Sequence, residues 1–223
     1  MSDDDLISAV AEYYTQRVVE HGATPRGVDW NDWTSQRVRF EVLLAVLGTD
    51  THGFSINDYG CGYGALLDVL DARYDDFGYR GFDVSAPMIA EARRRYAGDH
   101  RATFTTDAGV FGSADFTVAS GIFNVKLDLQ PARWERYVLE TIDHLAAIST
   151  KGFAFNALSC HADAGHTRGD LHYADPGALL DHCLRTHSRT VTMHHDYRLY
   201  EFTVVVRLDG RPPATHTPPG EAP

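Results

Sequence analysis

Long apolar segments are absent from this 223-residue chain. No run approaches the roughly 20 consecutive apolar residues that a membrane-spanning helix needs, so we expect no membrane partner. Residues 1–5 are acidic and lack the basic start and apolar centre of a secretory signal peptide. The three cysteines, Cys61, Cys160 and Cys183, are far apart and odd in number, which favours reduced thiols and a cytoplasmic location.

Positive charge is also scarce. The chain has 20 Lys and Arg against 31 Asp and Glu, a formal net charge of −11. A protein that grips a phosphate backbone normally carries a basic patch. The basic run at residues 93–95 fans around a predicted helix and indicates a solvated face. We therefore expect no nucleic-acid partner.

Metal-binding motifs are missing as well. Seven of the twelve histidines lie between residues 161 and 195, but H-E-x-x-H and tight Cys/His sets are absent. Histidines spaced by five and six residues in a loop are a weak signal for metal ligation. The sequence therefore predicts no metal site.

From residue 54 onward, strand patterns and helix patterns alternate, which predicts a mainly parallel sheet with crossover helices, an α/β fold. The patterns predict strands at 54–59, 79–83, 102–106, 115–120 and 152–158. Two more strands, at 190–194 and 200–206, follow each other without a helix and predict a closing antiparallel hairpin. Helices are predicted at 6–22, 32–47, 85–97, 131–145 and 176–184.

This pattern divides the chain into three parts. Two helices precede the alternating region, which predicts an N-terminal helical cap at residues 1–50 and an α/β core at 51–208. Residues 209–223 hold five of the nine prolines and no aromatic residue. Such a segment cannot bury a core, so we predict a disordered tail.

The most informative segment follows the first strand of the core. Asp58 is followed by Gly60, Gly62 and Gly64, and a helix pattern begins immediately afterwards. Glycine tolerates the backbone angles of a tight turn and has no Cβ to hold a ligand away. A strand, a glycine turn and a helix start together predict a slot for a cofactor.

A second carboxylate supports this interpretation. Asp83 ends the next predicted strand, where it can accept hydrogen bonds from both hydroxyls of a ribose. Gly60, Gly62 and Ala65 also satisfy the dinucleotide motif G-x-G-x-x-G/A, so a nicotinamide-dependent oxidoreductase is an alternative. Asp58 favours S-adenosylmethionine instead, because nicotinamide folds usually keep that strand end apolar.

With both motifs in view, D-x-G-x-G-x-G at 58–64 and D-x-S-x-x-M-x-x-x-A at 83–92, the chain resembles the class I S-adenosylmethionine-dependent methyltransferases over about residues 40–160. The resemblance implies a Rossmann-like, doubly wound sheet of seven strands, mostly parallel with one antiparallel C-terminal strand. It also implies cofactor contacts by residues of four strand ends and by a cap arginine. These are Asp58, Gly60, Cys61, Gly62, Gly64, Asp83, Val84, Met88, Asp107, Ala108, Ser120, Gly121 and Arg39.

The methyl acceptor should lie beyond the carboxyl ends of the strands. Candidate catalytic residues are Asn124 after the fourth strand and two histidines, His161 and His194, because imidazole titrates near neutrality and can take a proton from the acceptor. Candidate substrate contacts are mostly aromatic and suit a flat, neutral molecule: Tyr14, Trp30, Trp33, Phe123, His172, Tyr173 and His195.

The sequence thus predicts methyl transfer from S-adenosylmethionine to an oxygen or nitrogen of a small-molecule acceptor, with S-adenosylhomocysteine as the product. An atypical member that binds the cofactor without methylating anything is a further alternative. Oligomeric state and acceptor identity are not predicted.

Overall fold

The computed structural model describes residues 3–30 and 32–208 of the chain. The predicted tail at 209–223 lies outside the described residues. Six α-helices occur in the described part: α1 (Asp3–His21), α2 (Trp33–Leu43), α3 (Ala65–Asp71), α4 (Ala86–Arg95), α5 (Pro131–Ala147) and α6 (Pro176–Thr186). None of these helices combines the length and apolarity that crossing a bilayer requires.

Seven strands form one sheet: β1 (Phe54–Tyr59), β2 (Phe77–Phe82), β3 (Ala102–Thr105), β4 (Ala114–Ala119), β5 (Ser149–Leu158), β6 (Val191–His194) and β7 (Glu201–Arg207). Their order is β3-β2-β1-β4-β5-β7-β6. All neighbouring pairs are parallel except those of β7, which runs antiparallel to both β5 and β6. The predicted mostly parallel, seven-stranded sheet with an antiparallel last strand is confirmed.

The core lies on both faces of this sheet. One buried cluster joins α2, α3 and α4 to one face, and a second joins α5 and α6 to the other. Strand β7 shows the two faces directly, because Val205 belongs to the first cluster and its neighbours Val204 and Val206 belong to the second. Alternation of this kind is what strand geometry imposes on a sheet covered on both sides.

The segment before β1 is packed onto the core. Asp32 caps α2 by accepting a hydrogen bond from the amide of Ser35, and Phe40 and Leu43 of α2 enter the first cluster. The connection between the first two helices contains a short 3₁₀ helix, Pro25–Val28. The division of this segment from the rest of the chain as a unit of residues 1–50 stays a prediction.

Several predicted helix ends differ from the structure. Helix α1 begins before residue 6 and ends before residue 22, and α5 and α6 each continue two residues beyond the predicted 145 and 184. The second helix was expected to continue to Leu47, but the chain tightens into a 3₁₀ helix at Leu44–Leu47. The helix after β2 ends at Arg95 and not at residue 97. Tyr96 caps it with φ −111° and ψ 29°, and its hydroxyl lies within hydrogen-bond distance of the carbonyl oxygen of Gly64 and of Asp68.

Candidate functional site

The turn between β1 and α3 has the backbone that its glycines predict. Gly60, Gly62 and Gly64 have φ angles of 84°, 55° and 83°, in the left-handed region that favours glycine. The amides of Gly60 and Cys61 both donate to the carbonyl oxygen of Phe82, at 2.8 and 2.9 Å. The end of β2 therefore holds the start of the glycine turn in place.

Asp83 completes this arrangement. One of its carboxylate oxygens accepts from the amide of Gly62 and the other from the amide of Ser85, each at 2.8 Å. Burial raises the pKa of Asp83, and these two amides oppose that rise. Each carboxylate oxygen has a second lone pair, so Asp83 can still accept hydroxyl donors from a ligand.

Asp58 is the second buried carboxylate at the site. Only 2% of the residue is exposed, and it accepts a hydrogen bond of 2.6 Å from the hydroxyl of Tyr79. Burial raises the pKa of Asp58 to about 7, with a further contribution from the charge of Asp83, and the hydrogen bond from Tyr79 lowers it. A cationic ligand group nearby would favour the ionised form.

The N-terminal cap lies directly over the glycine turn. A Cβ added to Gly62 would lie 3.0 Å from the side chain of Val28, and one added to Gly121 would lie 2.4 Å from the ring of Trp30. The hydroxyls of Thr15 and Ser85 are hydrogen bonded at 2.8 Å. The cap therefore touches the turn after β1, the turn after β4 and the start of α4.

Tyr14 also belongs to the part of the cap that lies over the glycine turn. Burial raises the pKa of its hydroxyl, and the neighbouring acidic groups, including Asp29 and Asp83, raise it further. Tyr14 therefore stays protonated at physiological pH and can serve as a hydrogen-bond donor beside Asp83. Trp33, in contrast, is 40% exposed at the first position of α2.

Arg39 lies against the ring of Trp30. Its guanidinium carbon is 3.8 Å from the centroid of the Trp30 ring, and the side chain forms an ion pair with Glu201 at the start of β7. Burial raises the pKa of Glu201 to about 7, and Arg39 opposes that rise. Nη1 of Arg39 is buried and has no hydrogen-bond partner among residues 3–30 and 32–208.

The turn after β4 is held in place by a buried residue that was not predicted from the sequence. Asn156, fully buried in β5, accepts a hydrogen bond of 2.7 Å from the amide of Gly121. Its amide nitrogen is 3.5 Å from the hydroxyl oxygen of Ser120. The sequence signal for Asn156 was a polar residue within the apolar run of β5. Tyr79 and Glu201 were also not predicted, and each is likewise a polar group inside a strand.

Phe123 and Asn124 follow this turn. Phe123 is fully buried against Phe155, with ring centroids 5.6 Å apart, so the structure places it in the core and not on the rim of an open cavity. The side-chain Oδ1 of Asn124 accepts a hydrogen bond from the amide of Leu158. Its backbone carbonyl oxygen accepts one from the amide of His172 at 2.8 Å. Asn124 thereby ties the loop after β5 to the turn after β4.

Three of the predicted histidines lie at the carboxyl edge of the sheet. The rings of His161, which follows β5, and His195, which follows β6, are 6.4 Å apart. His194 ends β6 in register with Thr203. His172 is buried, and burial lowers its pKa, so its imidazole is neutral at physiological pH.

The other predicted residues lie in three places. Cys61 and Met88 are buried in the first core cluster, and Val84 is half-buried. Asp107 and Ala108 are exposed after β3, where Asp107 caps a short 3₁₀ helix through the amide of Gly109. The hydroxyl of Tyr173 accepts from the amide of Arg168 within the loop after β5.

A cavity of about 610 Å³ opens next to Tyr59, between α1 and α5. Its lining includes Tyr137 and Arg136 but no residue of the glycine turn, Asp83 or the turn after β4. The bare backbone of the glycine turn and the buried carboxylates of Asp58 and Asp83 lie outside this cavity.

Sequence comparison identifies a close curated relative. Over 154 residues the chain is 51% identical to Rv1506c of Mycobacterium tuberculosis, a protein provisionally named as a methyltransferase. The match covers 69% of this chain and 93% of the relative. No family model matches the chain.

Solved structures share the fold. The N-methyltransferase NodS from Bradyrhizobium japonicum WM9, in complex with S-adenosylhomocysteine, has a TM-score of 0.62 at 15% identity and covers 92% of this chain and 99% of its own. The small RNA methyltransferase HEN1 has a TM-score of 0.58 at 13% identity and covers 79% of this chain and 26% of its own. Proteins of this fold therefore differ widely in their acceptors.

Proposed function

This chain belongs to the class I S-adenosylmethionine-dependent methyltransferases, and we propose that it methylates an oxygen or nitrogen atom of a small-molecule acceptor. S-adenosylmethionine is its cofactor, as the family and the solved structures of the same fold indicate. When bound, the cofactor supplies an activated methyl group on a sulfonium. The protein has to position the acceptor, exclude water and, for a neutral acceptor, remove a proton.

The residues at the glycine turn suit this cofactor. We propose that Asp83 accepts the ribose hydroxyls and that the turn backbone lies along the methionine portion, with Asp58 orienting it. The free Nη1 of Arg39 is suited to a carboxylate oxygen. Asp107 and Ala108 would border the adenine from the end of β3.

One observation favours a small acceptor over a polymer: the site is covered from two sides. The hydroxyl of Tyr13 is hydrogen bonded to Asp29 of the cap and interacts with Arg168 of the loop after β5. Trp30 of the cap lies against Gly121 in the turn after β4. A nucleic acid would need an open, basic groove. The covered, aromatic surface of a chain with net charge −11 suits a compact, neutral molecule.

We propose that the acceptor lies near Asn124 and His172, with the histidines at the carboxyl edge supplying the base. His161 and His194 are the candidate bases, and His195 borders them. His172 is buried in its neutral form, which can accept a hydrogen bond or a proton. Asn124 holds the backbone of His172 and so positions it.

The test is a pH profile on any neutral alcohol, phenol or amine that supports formation of S-adenosylhomocysteine. We expect kcat/KM to rise through about pH 6–7, where an ordinary imidazole loses its proton. His161→Ala, His172→Ala, His194→Ala and His195→Ala, made singly, should include one variant that loses this rise while binding the cofactor normally.

A profile that is flat in the wild type would contradict a histidine base and favour a mechanism of positioning alone. Cleavage of S-adenosylmethionine without any acceptor would instead support the atypical alternative. Methylation of RNA at a higher kcat/KM than any small acceptor would overturn the proposed acceptor class.

A further inference from the structure

Three potential metal ligands converge on the side of the molecule formed by α5 and α6. Nε2 of His182 lies 2.7 Å from Oδ1 of Asp143, and Nε2 of His187 lies 2.9 Å from the same oxygen. The three ligand atoms all lie within 4.8 Å of one another. Two imidazole nitrogens thus point at one carboxylate oxygen.

The cluster is separate from the cofactor site. Asp143 lies in the last turns of α5, shortly before β5 begins, and His187 follows the end of α6, shortly before β6 begins. Both positions are therefore at the amino ends of strands β5 and β6. The glycine turn, Asp83 and the candidate bases lie at the carboxyl ends, on the opposite edge of the sheet.

Packing fixes one ligand and leaves another adjustable. The ring of His187 meets Phe153 edge to face, with centroids 5.4 Å apart, and its side chain is 9% exposed. The side chain of His182 is 20% exposed and that of Asp143 is 48% exposed. His187 is thus held in a defined orientation, and the half-exposed Asp143 can shift to suit an ion that also binds water.

The ligand chemistry selects the class of ion. Imidazole nitrogen with one carboxylate oxygen suits zinc and its neighbours among the divalent transition metals, whereas magnesium and calcium prefer sets of oxygens. Bonds of about 2.0–2.1 Å in a tetrahedral site separate two ligand atoms by about 3.3 Å. The observed 2.7 and 2.9 Å separations need only a small opening at Asp143.

We propose that Asp143, His182 and His187 bind one Zn²⁺ ion, with water completing the coordination. Each imidazole then carries its proton on Nδ1. The ion links α5 to α6 at the edge of the sheet away from the cofactor, so its contribution is to stability and not to methyl transfer. Simple hydrogen bonding of both histidines to Asp143 is the competing explanation, and it predicts no effect of metal.

The experiment uses the full chain without a polyhistidine tag, treated with chelator and then dialysed. Zn²⁺, Co²⁺ or Mg²⁺ is added, and metal content, melting temperature and, for Co²⁺, visible absorption are measured. We expect one equivalent of tightly bound Zn²⁺, a higher melting temperature with Zn²⁺ than without, a tetrahedral Co²⁺ spectrum, and no response to Mg²⁺.

Variants locate the ion. His182→Asn and His187→Asn should each weaken Zn²⁺ binding by at least about 100-fold, because even loss of a supporting partner costs roughly 10–100-fold. Asp143→Asn replaces a half-exposed carboxylate by an amide that can still accept a hydrogen bond. The variant therefore tests whether Zn²⁺ binding needs the negative charge, without disturbing the core. His100→Asn, at an exposed histidine, is the matched control and should bind Zn²⁺ like the wild type.

Cofactor affinity, measured on every variant, reports that the fold is intact and is expected to be unchanged. Absence of stoichiometric Zn²⁺ binding in the wild type overturns the proposal. Equal Zn²⁺ affinity in the wild type and in Asp143→Asn or His182→Asn also overturns it, because other residues then hold the ion.

Discussion

At the scale of single residues, the site depends on carboxylates held where water is scarce. Asp58 and Asp83 end neighbouring strands and are both buried, and burial raises the pKa of each. Neighbouring donors, the hydroxyl of Tyr79 and the amides of Gly62 and Ser85, offset part of that cost. A site that binds a cation can retain such groups, because the ligand supplies the missing positive charge.

Asp58 has a consequence for stability. Its pKa is about 7 in the folded chain, above the roughly 3.9 of an unfolded aspartate, so the folded state binds more protons between these values. The free energy of unfolding should therefore fall as the pH rises from about 4 to about 7. Asp58→Asn removes this pH-dependent loss of stability, and the asparagine oxygen can still accept the hydrogen bond from Tyr79. We expect the variant to exceed the wild type by on the order of 2–4 kcal/mol at pH 8 without cofactor.

Urea unfolding at pH 4, 6 and 8 checks this prediction. The two proteins should have similar stability near pH 4 and should diverge as the pH rises. Glu201, whose pKa is also raised to about 7, is present in both, so its contribution cancels from the difference. A constant difference at all three pH values would show that folding does not raise the pKa of Asp58.

Asp83 should matter for the cofactor more than for the fold. Asp83→Ala should weaken S-adenosylhomocysteine binding by about 1.5–3 kcal/mol, the contribution of hydrogen bonds to a charged acceptor. Titration calorimetry measures the change. Ser85→Ala is the control, because it keeps the backbone amide that Asp83 holds and removes only the hydroxyl contact with Thr15. Equal affinities for the wild type and Asp83→Ala would contradict the ribose assignment.

At the scale of elements, the cap covers the turns after β1 and β4. Trp30 lies against Gly121 and over Arg39, so it holds the cap to the turn after β4. Trp30→Ala should release S-adenosylhomocysteine about 10-fold faster or more, since burying a large apolar side chain is worth roughly 1.5–3 kcal/mol. Trp33→Ala, which changes a 40% exposed tryptophan only three residues away, should leave the release rate unchanged. Displacement kinetics with excess competitor give both rates, and equal rates in the two variants would contradict a cap held by Trp30.

The elements also show what a sequence can predict. Apolar strands, helix periods and glycine turns are local signals, and they placed all seven strands within a few residues. Asp58, Asp83 and the three glycines came from the same local pattern. Contacts between distant segments could not be predicted. The pair of Arg39 and Glu201 spans 162 positions, and Asn156 meets Gly121 only because β4 and β5 pair.

The histidines illustrate the same limit at closer range. His182 and His187 were a weak metal signal by spacing alone, because the ligand that joins them, Asp143, lies on another helix. Sequence patterns within one segment identify a ligand set only when the segment supplies all of it. Here the packing of α5 beside α6 supplies the third ligand.

At the scale of the whole molecule, the seven strands of the sheet all lie before residue 209. Strand β7 lies between β5 and β6, and its C-terminal end is secured by Arg207, whose amide donates to the carbonyl oxygen of Thr190 and whose guanidinium donates to that of Val46. The amide of Leu208 donates to the carbonyl oxygen of Lys151 at 2.7 Å. Every one of these bonds is made before residue 209.

A chain that ends at Gly210 should therefore keep its fold and its cofactor site. The removed residues are rich in proline and poor in apolar side chains, so they have little surface to bury against the core. We expect a melting temperature within about 1 °C of the full chain, because a loss of about 1 kcal/mol would already shift it by roughly 2–4 °C at this size. Calorimetry should give the same affinity for S-adenosylhomocysteine. A lower melting temperature would show that the tail packs on the folded chain, and weaker binding at an unchanged melting temperature would show that it reaches the cofactor site.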